Sequence, residues 1–181
     1  MRSAEGPSGG RSLSSGAWHL QGLSFHDARG ESHEAFDRAG LDAVGVAFDL
    51  VTENIIRSSA AGTARGLHYQ LAPQAQAKLV CVLQGKAQFF WLGLDGGRRR
   101  GPVPSLVLAP GAGLLYTPGD CAHGVVTMAP DTVFSLKLGG AIAPAARREI
   151  SFRSPLLDFD FAVAPRWDLL SQRDRQAPAS F

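Results

Sequence analysis

The sequence predicts an all-β protein, a sandwich or a barrel, on three observations. Short apolar segments recur along the chain. Turn residues separate them at regular intervals. Helical periodicity is thin. The predicted strands are Ala43 to Val51, Lys78 to Gln84, Ala87 to Asp95, Pro104 to Pro110, Gly113 to Pro118 and Thr132 to Gly139. Between them stand "LQGK", "LDGG", "APGAG", "TPGD" and "MAPD", each with Gly, Pro or Asp where a tight turn needs them.

The segment Thr63 to Gly85 reads as two short strands around a Pro-containing turn, and it carries Arg65, His68 and Lys78. Two stretches predict helix: Glu31 to Gly40, ended by its glycine, and Trp167 to Arg175, with Asp168 near its start. The lead, residues 1–16, is small and polar and predicts a disordered segment. It lacks the apolar stretch of a secretory signal. Residues 17–181 then form one domain, because a chain of 181 residues is within single-domain size and shows no internal repeat.

Charge and cysteine content narrow the function classes. A formal net charge of +2 gives no field for nucleic acid or an anionic membrane. The run Arg98-Arg99-Arg100 follows "DGG" and reads as a solvated turn. No apolar run reaches the length of a membrane span. Cys81 and Cys121 lie far apart, Cys81 within an apolar run, so both read as reduced core thiols of a cytoplasmic protein.

Several motifs follow one another in a fixed order: "HDARGE", "ARGLHYQ", "AQAKLV", "VLQGKA", "LYTPGDCAHGVVTM", Ala143-Pro144 and "LSQRD". With these the chain resembles the dTDP-4-dehydrorhamnose 3,5-epimerase family from about His26 to Pro178. The resemblance implies a cupin-type double-stranded β-helix (a jelly-roll barrel with short peripheral helices) and a homodimer. It also implies a dTDP-linked 4-keto-deoxyhexose as substrate, and no cofactor. The implied reaction is epimerisation by proton abstraction next to the C4 ketone. That chemistry needs a base, a stabiliser for the enolate oxygen, and an acid on the opposite face.

The resemblance assigns His68 as the base and Asp174 as the carboxylate that orients it, since a carboxylate on the far ring nitrogen fixes the tautomer. Alone, each also reads as an ordinary structural residue. Lys78, one of three lysines, opens an alternating strand and shares a face with Val80 and Val82. If that face is the barrel interior, a bare ammonium there is costly, and the family places this lysine by the enolate oxygen. At a strand end it would instead reach to water.

Arg65 and His123 match substrate-binding positions. Strict alternation sets Arg65 and His68 on opposite faces, so one site requires a bend or bulge, which Gly66 permits. Arg29 matches an arginine that meets the diphosphate in the neighbouring subunit, Glu34 a carboxylate at the thymine end, and Asn54 a polar position before the "RGLH" strand. A cupin metal site needs a His-x-His pair; here "HYQ" supplies one histidine, so no metal is expected.

The departures fall on the acid side. The family's general-acid tyrosine aligns with Leu136, on a strand face shared with Phe134 and Leu138. A tyrosine pair that holds the sugar aligns with Ala141 and Ile142, a family aspartate falls near Phe89, and the aromatic after "RG" falls on Glu31. Of the two tyrosines, Tyr69 lies on the strand face opposite His68, and Tyr116 is the candidate replacement acid. Two alternatives to the epimerase stand beside it. One is another sugar-nucleotide isomerase, inverting a single centre or moving a ketone. The other is a non-catalytic sugar-nucleotide-binding cupin.

Overall fold

The structure, a computed structural model, describes residues 9–96 and 98–179. Its strands, in chain order, are β1 (Gly10–Ser12), β2 (Trp18–Leu20), β3 (Ser24–Asp27), β4 (Gly30–His33), β5 (Leu50–Ser58), β6 (Ala64–Gln70), β7 (Ala77–Gln84), β8 (Ala87–Asp95), β9 (Arg98–Arg100), β10 (Ser105–Leu108), β11 (Leu114–Thr117), β12 (Cys121–Thr127), β13 (Thr132–Gly139) and β14 (Arg147–Glu149). Two short helices accompany them, α1 (Arg38–Ala43) and α2 (Gln172–Arg175).

The strands form two six-stranded sheets, one in the order β1-β2-β11-β7-β13-β5, the other β10-β8-β12-β6-β14 with β9 added beside β8. All pairings are antiparallel. β3 and β4 make a separate hairpin. This is an all-β jelly roll of the cupin type, with β5 and β14 as free edges of the two sheets.

Why the strand sequences are apolar on both faces follows from three layers of packing. The inner faces meet in a core that includes Val80, Val82, Phe89, Trp91, Leu115, Val125 and Phe134. The outer face of the first sheet buries Leu79, Leu114 and Tyr116 against Leu41, Val46 and Phe48 from the connection around α1. The outer face of the second sheet buries Leu67, Phe90, Leu92 and Val126 against Ile150, Phe152 and Leu157. β8 lies under both kinds of cover, so "AQFFWLGL" reads as one continuous apolar run rather than an alternation.

Four expectations change. The lead is ordered from Gly10, because β1 pairs with β2 and extends the first sheet; residues 1–8 of the expected disordered segment lie outside the described residues. The helix expected over Glu31 to Gly40 is instead strand β4 followed by α1, which Asp37 caps by accepting from Gly40 N–H. The second expected helix splits into a 3-10 turn at Trp167–Leu169 and α2.

The strand expected over Ala43 to Val51 begins only at Leu50. Val46 and Phe48 are buried at alternate positions, as an extended segment would have them, but they cover the sheet without joining its ladder. The edge strand β5 continues through polar Thr52-Glu53-Asn54, whose side chains face solvent in part.

Phe48 anchors that covering layer. It is 1 % exposed, stands edge-on to Tyr116 at 6.1 Å between ring centroids, and packs so closely on Gly139 that a Cβ there would lie 2.9 Å from its ring. Phe48→Ala is expected to lower stability by about 3–5 kcal/mol, read as a shift of the urea midpoint with an unchanged slope.

Candidate active site

One cavity of about 310 Å³ opens between the sheets, and Arg65, His68, Lys78, His123 and Asp174 all line it. A bulge in β6 brings the first two together. His123 of β12 pairs with His68 and Val125 pairs with Arg65, so two steps along β12 match three along β6. The extra residue in that interval lets Arg65 and His68 face the cavity while Ala64 and Leu67 face the outer core. Gly66 occupies it with φ +111°, and a Cβ there would stand 2.8 Å from both the Gly124 Cα and the His123 carbonyl.

His68 Nε2 lies 2.6 Å from Asp174 Oδ1. An ionised carboxylate only accepts, so Nε2 carries a proton, and in the neutral ring Nδ1 keeps its lone pair. Asp174 is fixed in turn by its own helix. Ser171 caps α2, accepting from Asp174 N–H at 3.1 Å, and its hydroxyl donates to Asp174 Oδ2 at 2.9 Å. The backbone of Gly66 also favours the ionised carboxylate. Burial alone would raise the Asp174 carboxyl; the His68 hydrogen bond, the imidazole charge and these donors outweigh it and hold the group below its ordinary range.

Lys78 is buried at the head of β7 and donates from Nζ to the His68 carbonyl oxygen at 3.2 Å. It points inward with Val80 and Val82 rather than out to water. Burial pushes its ammonium down to about 8; the neighbouring Cys121 opposes that shift and Arg147 adds to it. His123 is buried beside it, its Nδ1 lying 3.1 Å from the Thr117 hydroxyl. Burial, then the charges of Lys78 and His68, keep His123 well below its ordinary value, so it stays a neutral imidazole.

The far wall is apolar. Ile56, Phe134 and Leu136 line it, and Phe89 stands edge-on to both Phe134 and His123 behind it. Asn54, an expected site residue, lies opposite Leu136 in register, but it is exposed and does not line the cavity as Ile56 does.

Three more expected site residues lie away from the cavity in the protomer. Tyr116 cannot serve as the replacement acid: Leu115 and Thr117 of β11 face inward, so alternation turns Tyr116 out into the covering layer against Phe48 and Leu79. Arg29 sits in the β3–β4 hairpin, its side chain 89 % exposed and paired with Asp27 at 2.5 Å. Glu34 follows β4 and accepts from Leu23 N–H at 2.8 Å, beside a different cavity.

The cavity also contains Arg147, Ser171 and Arg173. The latter two belong to the "LSQRD" motif itself, whose S-x-x-D spacing is a capping signature. Arg147 carried no motif signal; only the pairing of β14 with β6 places it. Among the described residues no group of three or more His, Cys, Asp or Glu side chains is arranged to hold a metal ion.

A jelly roll of two antiparallel sheets, with a carboxylate-bound histidine and a buried lysine in one pocket, defines a cupin-type protein. The comparisons with known proteins are specific within that class. The family profile described as dTDP-4-dehydrorhamnose 3,5-epimerase matches residues 13–180. A dTDP-4-dehydrorhamnose 3,5-epimerase of Pseudomonas aeruginosa is 36 % identical over 163 residues, covering 86 % of either chain. One from Sinorhizobium fredii is 31 % identical over 159 residues, 86 % of this chain and 80 % of the relative.

Among solved structures, the Bacillus anthracis enzyme with TDP and pyrophosphate bound superposes with a TM-score of 0.87 at 27 % identity, over 95 % of this chain and 99 % of that one. ChmJ, a 3′-monoepimerase of Streptomyces bikiniensis in complex with dTDP-quinovose, gives 0.82 at 25 % identity, over 93 % and 86 %. The chain belongs to the dTDP-4-dehydrorhamnose 3,5-epimerase family, a family of isomerases.

Lys78 gives a test that separates site from scaffold. Its folded value lies below its ordinary 10.5, so the burial cost is full below about pH 8 and is relieved as pH rises towards 10.5. Lys78→Met is expected to raise stability at pH 7 by roughly 1–3 kcal/mol and to flatten the rise of stability across that alkaline window, both read by urea unfolding at stepped pH.

Proposed function

We propose that this protein epimerises a dTDP-linked 4-keto-6-deoxyhexose by proton transfer at carbon next to the C4 ketone. The observation that supports it most is the His68–Asp174 pair at 2.6 Å, set beside a buried lysine in one cavity. In this reading Nδ1 of His68 removes the proton, and Asp174 stabilises the imidazolium that forms. The electron pair moves to the ketone oxygen, where the Lys78 ammonium meets the developing charge. Arg65 and the neutral His123 position the sugar. The relatives' names and bound nucleotides support the substrate class.

The apolar wall of Ile56, Phe134 and Leu136 favours a second reading for the outcome of the reaction. No proton donor faces the substrate from that side among the described residues, so a single-centre inversion or a ketone shift with the proton handled on one face fits the site too. A non-catalytic binder would exchange no proton at all.

We infer further that the protein works as a homodimer in the cytoplasm. Val51 and Ile55 on the free edge strand β5, with Leu83 of β7, expose apolar side chains that a second copy would cover. In such a dimer Arg29 and Glu34 would reach the neighbouring subunit's substrate. Two free, buried cysteines suit a reducing compartment, and no helix among the described residues is long and apolar enough to cross a membrane.

The test is proton exchange. With dTDP-4-keto-6-deoxyglucose in D₂O, proton NMR is expected to show deuterium entering next to the ketone. His68→Ala should slow this by roughly 10²–10⁴-fold. The rate should fall above about pH 8 as Lys78 loses its proton. Exchange undiminished in His68→Ala would overturn the assignment of the base. No exchange with wild-type protein that still binds dTDP would favour the binder.

A further inference from the structure

The cavity holds more positive charge than the base site uses. Arg65, Lys78, Arg147 and Arg173 all line it. Of the two carboxylates beside them, Asp174 is engaged by His68 and Ser171, and Glu149 by Arg173. Arg147 makes no ion pair and no side-chain hydrogen bond among the described residues; its backbone N–H donates to the Pro144 carbonyl and its own carbonyl accepts from Arg148.

The placement of Arg147 is definite. β14 pairs with β6 so that Arg147 lies opposite Gln70 and Glu149 opposite His68, and Arg147 and His68 both line the cavity. Gln70 is itself locked, donating to the carbonyls of Gln74 and Ala141 and accepting from Ala143 N–H at 2.8 Å. The strand that carries Arg147 is therefore pinned to the site. Its charge reaches two other cations: Arg173 is lowered by burial and next by Arg147, and Lys78, lowered mainly by burial, is lowered further by Arg147. A half-buried guanidinium set between two like charges opposes folding unless an anion joins them.

We propose that Arg147 and Arg173 form a clamp for the diphosphate of a nucleoside-diphosphate sugar, with Arg147 as the protomer's own phosphate contact. Two planar guanidinium forks on one side of a cavity fit a group with two or more negative charges and several acceptor oxygens. Glu149 holds Arg173 in position without neutralising Arg147. Arg29 does not supply this contact within the protomer, because its guanidinium is paired with Asp27 in the exposed hairpin. The inference rests on the sugar-nucleotide reading above and assigns its phosphate-binding residues.

The experiment is calorimetric titration of wild-type protein, Arg147→Gln and Arg147→Lys with dTDP and with inorganic pyrophosphate, at low and high salt. Thermal melts check that each variant folds. Wild type is expected to bind both ligands, more weakly at high salt. Arg147→Gln should weaken both by roughly 10- to 100-fold, and Arg147→Lys should recover part of the loss. In the exchange assay KM should rise with kcat nearly kept.

Unchanged affinity for both ligands in folded Arg147→Gln would overturn the clamp while leaving the sugar-nucleotide reading intact. A fall in kcat alone, at constant affinity, would also overturn it, placing Arg147 at the reacting carbon instead. Wild type that binds neither dTDP nor pyrophosphate would overturn the clamp together with the sugar-nucleotide reading.

Discussion

The bulge at Gly66 is the constraint on which the site depends. Without the extra residue in β6, alternation would send either Arg65 or His68 into the outer core beside Leu67. The same residue also bears on the carboxylate behind His68, since its backbone favours the ionised form of Asp174. A side chain has no room there, with φ +111° and two backbone atoms at 2.8 Å. The bulge, the His68 ring and the Asp174 carboxylate are thus one unit, tying the second sheet to a C-terminal helix 106 residues further along.

Around that unit the cavity gathers positive charge that no carboxylate offsets among the described residues. Lys78, Arg65 and Arg147 share a cavity with no carboxylate free to pair with them among the described residues. On the outer face of the first sheet the opposite rule holds. There the buried Lys137 meets Glu53 at 3.0 Å and the Ser135 hydroxyl at 2.6 Å. The two buried lysines thus differ in their surroundings: Lys137 is paired with a carboxylate, while Lys78 has no ion-pair partner among the described residues.

Much of this was legible in the sequence. The central strands β7, β8 and β13 are continuous apolar runs closed by turn residues, and their bounds fall within a residue of those expected. The inward face of Lys78, Val80 and Val82 followed from alternation, and the need for a bulge followed from the spacing of Arg65 and His68. What was not legible depends on pairing between distant segments. β5 runs through Thr52-Glu53-Asn54 because an edge strand need bury only one face. Val46 and Phe48 carry a strand's periodicity while serving as cover. Tyr116 was misjudged because the face of β11 that turns inward is fixed by β7 and β2, not by its own sequence. Arg147 lies outside every motif.

The apolar wall decides what the base half can accomplish. In the proposed reaction a proton taken by His68 would meet no partner donor across the cavity among the described residues, where Ile56, Phe134 and Leu136 stand. The most direct measurement compares wild type with Leu136→Tyr, following deuterium exchange and inversion at the same carbons by NMR. If Leu136 marks the missing acid, the variant raises the ratio of inversion to exchange while exchange itself stays dependent on His68. An equal ratio in both proteins, with inversion already complete in wild type, would contradict the division of this site into a working base and an absent acid.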